Sequence, residues 1–381
     1  MMETALLNAR VLTPQGWRDD LAVVVADGLI RGLASPGNVP SGAKARDLSG
    51  RMLLPGFIDC QVNGGGGVLF NDQPSVDGIR AIGAAHRRFG TTGFLPTLIS
   101  DTVDKMRTAI AAVDTAIAEG VPGVLGIHLE GPFISRQRKG VHAEKYLHVP
   151  DAGELRVTES LQQGKTLLTL APECVAPDAI RELTGHGVIV AAGHSNTDYA
   201  TVRAALDAGV RGFTHLYNAM SPLTSRAPGM IGAALDDADS WCGVIVDGHH
   251  VDPASLRVAL KAKPRGKVFL VTDAMPPVGA ADPSYVLNGE TIVARDGICQ
   301  TANGTLAGSA LSMIDAVRNT VEMLGLPIDE AARMASTYPA DFLGLGASRG
   351  RIETGYRADF TVLDADLRVT ETWIDGLPSN A

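Results

Sequence analysis

The 381-residue chain is 45% hydrophobic and 20% charged, with a formal net charge of −9. That length accommodates one large domain and a smaller one. An acidic balance without a basic cluster argues against nucleic acid as a partner, and no apolar run reaches the roughly 18 residues of a membrane span.

The N-terminus, MMETALLNARVLTPQGW, lacks a basic start followed by a long apolar stretch, so no secretion signal is expected and the protein reads as cytoplasmic. Residues 1–54 read as short strands; LAVVVADGLIRGL holds two apolar runs around a turn at Asp27-Gly28. Residues 348–381 look alike, so a small β domain built from both termini is expected, a β-sandwich. Between them, over 55–347, strand-like runs alternate with helical ones. The strands are GFIDCQVN, GFLPTLIS, VLGIHLEG, KTLLTLAPE, GVIVAAGHS, GFTHLYN, CGVIVDG and KVFLVTDA. Helices are expected at SVDGIRAIGAAHRRFG, TVDKMRTAIAAVDTAIAEG, APDAIRELTGHG, DYATVRAALDAG and DPASLRVALKAK. This alternation is that of an α/β fold, the (β/α)8 TIM-type barrel. A β-hairpin is expected as an insert at about 285–304, with apolar runs flanking Asp296-Gly297. A doubly wound sheet would want GxGxxG after its first strand, and Gly64–Gly67 do not match it. The four cysteines (Cys60, Cys174, Cys242, Cys299) form no CxxC pair and fit reduced, buried thiols.

Catalytic residues of such barrels lie at the C-terminal ends of the strands. Gln61, Asn63, Glu130, His194, His215, Asp247 and Asp273 all fall there. Each would be costly to bury alone, whereas together they can satisfy one another around a cation. Two imidazoles and a carboxylate, from Glu130, His194 and His215, match a catalytic zinc or iron site with an open position. His128 faces the same side of its strand as Glu130 but lies deeper, as a core histidine would. Gln61 and Asn63 stand where a two-metal site would have His-x-His; amides are weak ligands, and they read equally as groups that orient water or substrate or as structural amides of the rim. Cys60, beside Gln61, should point the other way. Asp273, ending the last strand, can take a proton from water and return it to a leaving amine. Of the neighbours His249 and His250 only one can face the site, where it could stabilise an oxyanion. Arg226 and His142, on loops, could hold an anion.

These residues carry a resemblance. LPGFIDCQVNGGGG, HLEGPF, KGVHAE, AGHSNT, THLYNAMSPLTSRAPG, DGHHVDP, VTDAM, TLAGSALSM and GRIETGYRADFTVLD together make the chain similar to the N-acetylglucosamine-6-phosphate deacetylase family of the amidohydrolase superfamily. PGFID and the tail are shared across the superfamily; HLEGPF, THLYNAM and the Arg226 loop are more specific. The resemblance implies one divalent metal ion per subunit, zinc or iron, held by Glu130, His194 and His215. It implies Asp273 as acid/base and His250 at the reacting acetamide. Substrate contacts are implied for Val141, His142, Asn218 and Ala219, and for Leu306 at the acetyl group. It further implies that Arg226 binds the 6-phosphate from the neighbouring subunit of a homodimer, and that Gln61 and Asn63 mark the single-metal type. The expected reaction converts N-acetylglucosamine 6-phosphate to glucosamine 6-phosphate and acetate, in amino-sugar catabolism. Two alternatives stay open: an amidohydrolase for another N-acyl substrate, and a catalytically dead barrel serving as a scaffold.

Overall fold

The computed structural model describes residues 3–380. Eight parallel strands form the central sheet: β1 (Phe57–Val62), β2 (Thr91–Ile99), β3 (Gly126–Glu130), β4 (Lys165–Leu170), β5 (Ile189–Ala192), β6 (Gly212–Phe213), β7 (Trp241–Val244) and β8 (Val268–Leu270). Each pairs with the next in chain order, and helices cross over between most of them, as the alternation in the sequence predicts. The ladder stops between β8 and β1. There the ring is closed by a bridge between Val62 and Ala274. Asp59 adds a stitch: its Oδ2 accepts from the Thr272 hydroxyl at 2.5 Å, and its Oδ1 from the Thr272 N–H at 3.3 Å. Burial pushes the Asp59 carboxyl up to about 7, against the pull of those bonds.

The five expected helices form within a few residues of their expected bounds. In Val103–Ala118, Met106, Ala109, Ile110, Val113 and Ala116 recur at helical spacing and are buried against the barrel, and Thr102 caps the N-terminus by accepting from the Lys105 N–H. Further helices not expected from the sequence occupy Ala152–Thr158, Gly229–Asp236, Met313–Leu324, Ile328–Ala335 and Thr337–Phe342. The first of the last three carried a legible signal, a Ser312 cap before buried Met313, Ala316, Val317, Thr320 and Leu324.

Strands from the two ends of the chain share a sheet. Phe360–Leu363 pairs antiparallel with Met52–Pro55, which pairs parallel with Arg10–Thr13. A second sheet holds Thr4–Leu7, Ala22–Ala26, Leu29–Ala34 and Lys44–Asp47. Leu6, Val11, Val23, Ile30, Leu53, Phe360 and Trp373 form the separate core of this sandwich. The insert after β8 differs in its turns from the sequence expectation. Ser284–Leu287 and Glu290–Val293 close around Asn288-Gly289, both at positive φ, and a second pair, Ile298–Gln300 with Leu306–Ser309, follows. Asp296-Gly297 only links Arg295 to Ile298 across an isolated bridge. Either Asx-Gly dipeptide satisfies the turn chemistry, and the longer ladder formed at the first.

Gly126 opens β3 at φ +149°, where a Cβ would lie 1.9 Å from the Lys165 carbonyl oxygen. Gly126→Ala should therefore destabilise the barrel by about 1–3 kcal/mol, read as a fall of a few degrees in apparent Tm; an unchanged Tm would show that the β3–β4 backbone yields freely.

Candidate metal centre

Three polar atoms converge at the barrel mouth. Glu130 ends β3, His194 follows β5 and His215 follows β6. Glu130 Oε1 lies 3.1 Å from His194 Nε2 and 3.0 Å from His215 Nε2, and the two nitrogens are 3.0 Å apart. All three residues are at least 94% buried. Among the described residues this is the group of acidic, His or Cys side chains able to hold a metal ion.

Proton bookkeeping tests whether a cation fits. His194 Nδ1 donates to the Arg138 carbonyl at 2.8 Å, which leaves a lone pair on its Nε2. That lone pair faces a carboxylate oxygen and a second imidazole nitrogen in a site without bulk water. Lone pairs at such distances repel unless a proton or a cation lies among them. Tetrahedral ligands about 2.1 Å from zinc are about 3.4 Å apart, a few tenths of an ångström wider than the spacings seen. The donor set fits a divalent ion. Burial pushes the Glu130 carboxyl up, but hydrogen bonds and charge from His194 and His215 outweigh it and hold the group well below the usual carboxylate range.

The backbone bends sharply to aim these groups. His194, His215 and Asp273 have φ of +48°, +34° and +53°, and Tyr217 and Ala219 follow at +81° and +52°. Left-handed backbone at non-glycine residues costs on the order of 1 kcal/mol each and concentrates at functional sites. It turns each chain inward at its strand end.

Asp273 stands beside the cluster. Its Oδ1 accepts from Asn63 Nδ2 at 2.6 Å and Gln61 Nε2 at 3.1 Å, and Gln61 Nε2 also lies 3.1 Å from Glu130 Oε1. The two amides thus serve as donors to the acids. Burial, then the charge of Glu130, pushes the Asp273 carboxyl up to about 6; His215, His250 and Asn63 pull the other way. A bulge relative to β2 near Cys60 and Gln61 upsets the strand alternation, and both residues line a small void inside the barrel, so Cys60 does not point away as simple alternation suggests. His128 lies deeper, bonded to Thr169 Oγ1 at 2.8 Å and Thr97 Oγ1 at 3.3 Å.

A cavity of about 340 Å³ opens over the cluster, within the range of small-molecule sites. Asn63, Val141, His142, Asn218, Ala219, His250, Asp273 and Leu306 line it with the three candidate ligands. His250 faces it and His249 is exposed, which separates that pair. His142 Nδ1 accepts from the Ser100 hydroxyl at 2.7 Å and lies 3.3 Å from the Ser100 N–H, so its Nε2–H is left to donate. Burial, then the charge of His194, pushes this imidazole down to about 3. Arg226 stays apart: it is exposed, in the exposed stretch 222–228, and does not line this cavity. Sequence reasoning gave no role to Arg138, Ser100 or Thr305. Ser100 directly follows β2, so the strand-end rule could have found it; the Arg138 carbonyl acts through backbone, which leaves no trace in residue identity.

A cation-gripping cluster with a carboxylic acid beside it, at the C-terminal rim of a (β/α)8 barrel, defines a metal-dependent hydrolase. Residues 52–379 match the Amidohydrolase family. The chain belongs to that family and, within it, to the N-acetylglucosamine-6-phosphate deacetylase group. It is 42% identical to an N-acetylgalactosamine-6-phosphate deacetylase of Shewanella sp. (strain ANA-3), over 97% of this chain and 94% of that protein. The crystal structure of N-acetylglucosamine-6-phosphate deacetylase from Pasteurella multocida superposes with a TM-score of 0.96 at 36% identity, covering 100% of both chains. A mutant N-acetyl-D-glucosamine-6-phosphate deacetylase from Mycobacterium smegmatis, in complex with N-acetyl-D-glucosamine-6-phosphate, gives 0.91 at 32% identity over 99% of each chain.

Elemental analysis of protein purified without added metal should find one divalent ion per chain. Glu130→Gln should lower that content at least about tenfold, since it removes the charge between the two imidazoles; undiminished content would exclude these residues as the ligands.

Proposed function

We propose that this chain hydrolyses the N-acetyl group of N-acetylglucosamine 6-phosphate, giving glucosamine 6-phosphate and acetate. The observation that carries this is the Glu130–His194–His215 triangle with Asp273 beside it, in a chain that superposes end to end on deacetylases of this substrate. Zinc and iron both suit the donor set. When bound, the ion supplies Lewis acidity for the carbonyl and brings the pKa of water down from 15.7 towards about 7.

The chain's own residues do the rest. Asp273 accepts the proton of the attacking water on one carboxylate oxygen while Asn63 and Gln61 fix the other. A carboxyl raised to about 6 is ionised at neutral pH yet basic enough to accept a proton, then acidic enough to give it to the departing amine. His250 faces the acetamide oxygen, where a donor to the developing charge is worth about 3–4 kcal/mol. Val141, His142, Asn218 and the Ala219 backbone hold the sugar, and Leu306 packs on the acetyl methyl. Arg226, remote from its own cavity, binds the 6-phosphate in the partner subunit of a homodimer, as a fork matched to phosphate oxygens.

A second substrate is favoured by one observation. The 42% identical relative carries the name of the galacto epimer's deacetylase. Acetate release from the two N-acetylhexosamine 6-phosphates, compared as kcat/KM, decides which one the site prefers; activity on neither refutes both.

Asp273→Asn should lower kcat by about 10³-fold or more while metal content is retained. Near-normal turnover would remove Asp273 from the proton path. Arg226→Ala should raise KM for the phosphorylated sugar at least about tenfold. Mixing the two inactive or weakened proteins under subunit exchange should restore activity, because one heterodimer site then has both an intact Asp273 and a partner Arg226; no recovery would refute donation across the interface.

A further inference from the structure

Asp247 lies three residues beyond β7 and makes three bonds within one turn. Its Oδ1 accepts the backbone N–H groups of His249 and His250, each at 2.9 Å, and its Oδ2 lies 2.6 Å from His250 Nδ1. The two side chains are 5% and 6% exposed. No Arg or Lys pairs with this carboxylate among the described residues; burial alone would push it up, but the bonds from His250 outweigh that and hold it below the usual range. The buried charge thus has one ionisable partner, and that partner lines the catalytic cavity.

The carboxylate settles where the ring proton sits. Nδ1 carries the proton that faces it, and Nε2, which has no partner among the described residues, opens toward the cavity. His142, across the same cavity, is fixed the other way by Ser100, with Nε2–H outward. The geometry points to Asp247 as a positioning residue for the deacetylation: through His250 it fixes which nitrogen meets the acetamide oxygen and supports the doubly protonated ring as that oxygen gains negative charge. The reacting ring is the imidazolium: Nε2 takes a second proton from solvent before substrate binds, donates it as a hydrogen bond to the developing oxyanion and keeps it, so no proton transfer is added to the reaction. This is the arrangement in which a buried carboxylate behind an imidazole sets its tautomer and stabilises the imidazolium. The inference rests on the deacetylase reading above.

A double-mutant cycle on the metal-loaded enzyme tests it. Asp247→Asn keeps an oxygen for the two backbone N–H groups, so the turn is retained, but it removes the charge and offers Nδ1 an N–H donor. We expect kcat for acetate release to fall about 100-fold or more, with KM changed less than about threefold. In a His250→Gln background the same substitution should change kcat less than about threefold. Nitrogen-15 NMR should show the His250 ring carrying a proton on Nδ1 as well as on Nε2 in the wild type, and on Nε2 alone in Asp247→Asn. Additive losses in the cycle, unchanged ring protonation, or loss of bound metal in Asp247→Asn would each overturn the role. A wild-type enzyme that releases no acetate from either sugar phosphate would overturn the deacetylase reading and this inference with it; an active wild type with an additive cycle overturns only the inference.

Discussion

Three electron-pair donors held about 3 Å apart and buried at the barrel mouth form the constraint on which the site depends. Left to themselves their lone pairs repel, and a proton or a cation among them is what makes the arrangement stable. The Arg138 carbonyl sharpens the demand, because it takes the one proton that His194 could otherwise have turned inward. Neighbouring groups then adjust around the same centre. Glu130 is kept ionised, Asp273 is raised by Glu130's charge, and Gln61 and Asn63 supply N–H groups where further anions or lone pairs would add to the repulsion.

The scaffold meets this constraint with strained backbone and stiff surroundings. Left-handed conformations at His194, His215 and Asp273 are tolerated because each follows a strand buried on both faces. The barrel core beneath is apolar and contiguous, so the strand ends cannot relax without disturbing close packing. Strand ends therefore carry the candidate ligands and Asp273, while Val141, His142 and Leu306 come from loops and the insert.

Much of this was legible in the chain as letters. Apolar runs ending in Glu130, His194, His215 and Asp273 revealed both the barrel strands and the rim chemistry, because strand burial and strand-end function impose opposite residue types a few positions apart. The motifs around HLEGPF and THLYNAM narrowed the family further. What stayed hidden depended on three-dimensional hydrogen bonding. Whether His249 or His250 faces inward was set by Asp247 folding back on its own turn. The position of the insert's turn was a contest between Asn288-Gly289 and Asp296-Gly297 that local chemistry does not decide. The part of Arg138 is played by a carbonyl, which every residue owns.

The seam between β8 and β1 has a mechanical meaning. Glu130, His194 and His215 hang from strands within the unbroken run of hydrogen-bonded ladders, whereas Gln61, Asn63 and Asp273 hang from the two strands at the seam, joined by the Val62–Ala274 bridge, the Gly64 N–H to Ala274 carbonyl bond, the Asp59 stitch and the amides' own bonds to Asp273. The three candidate ligands are thus mounted on continuous ladder, and the carboxylate beside them on a seam closed largely by side chains, with Gln61 bonded to both Glu130 and Asp273.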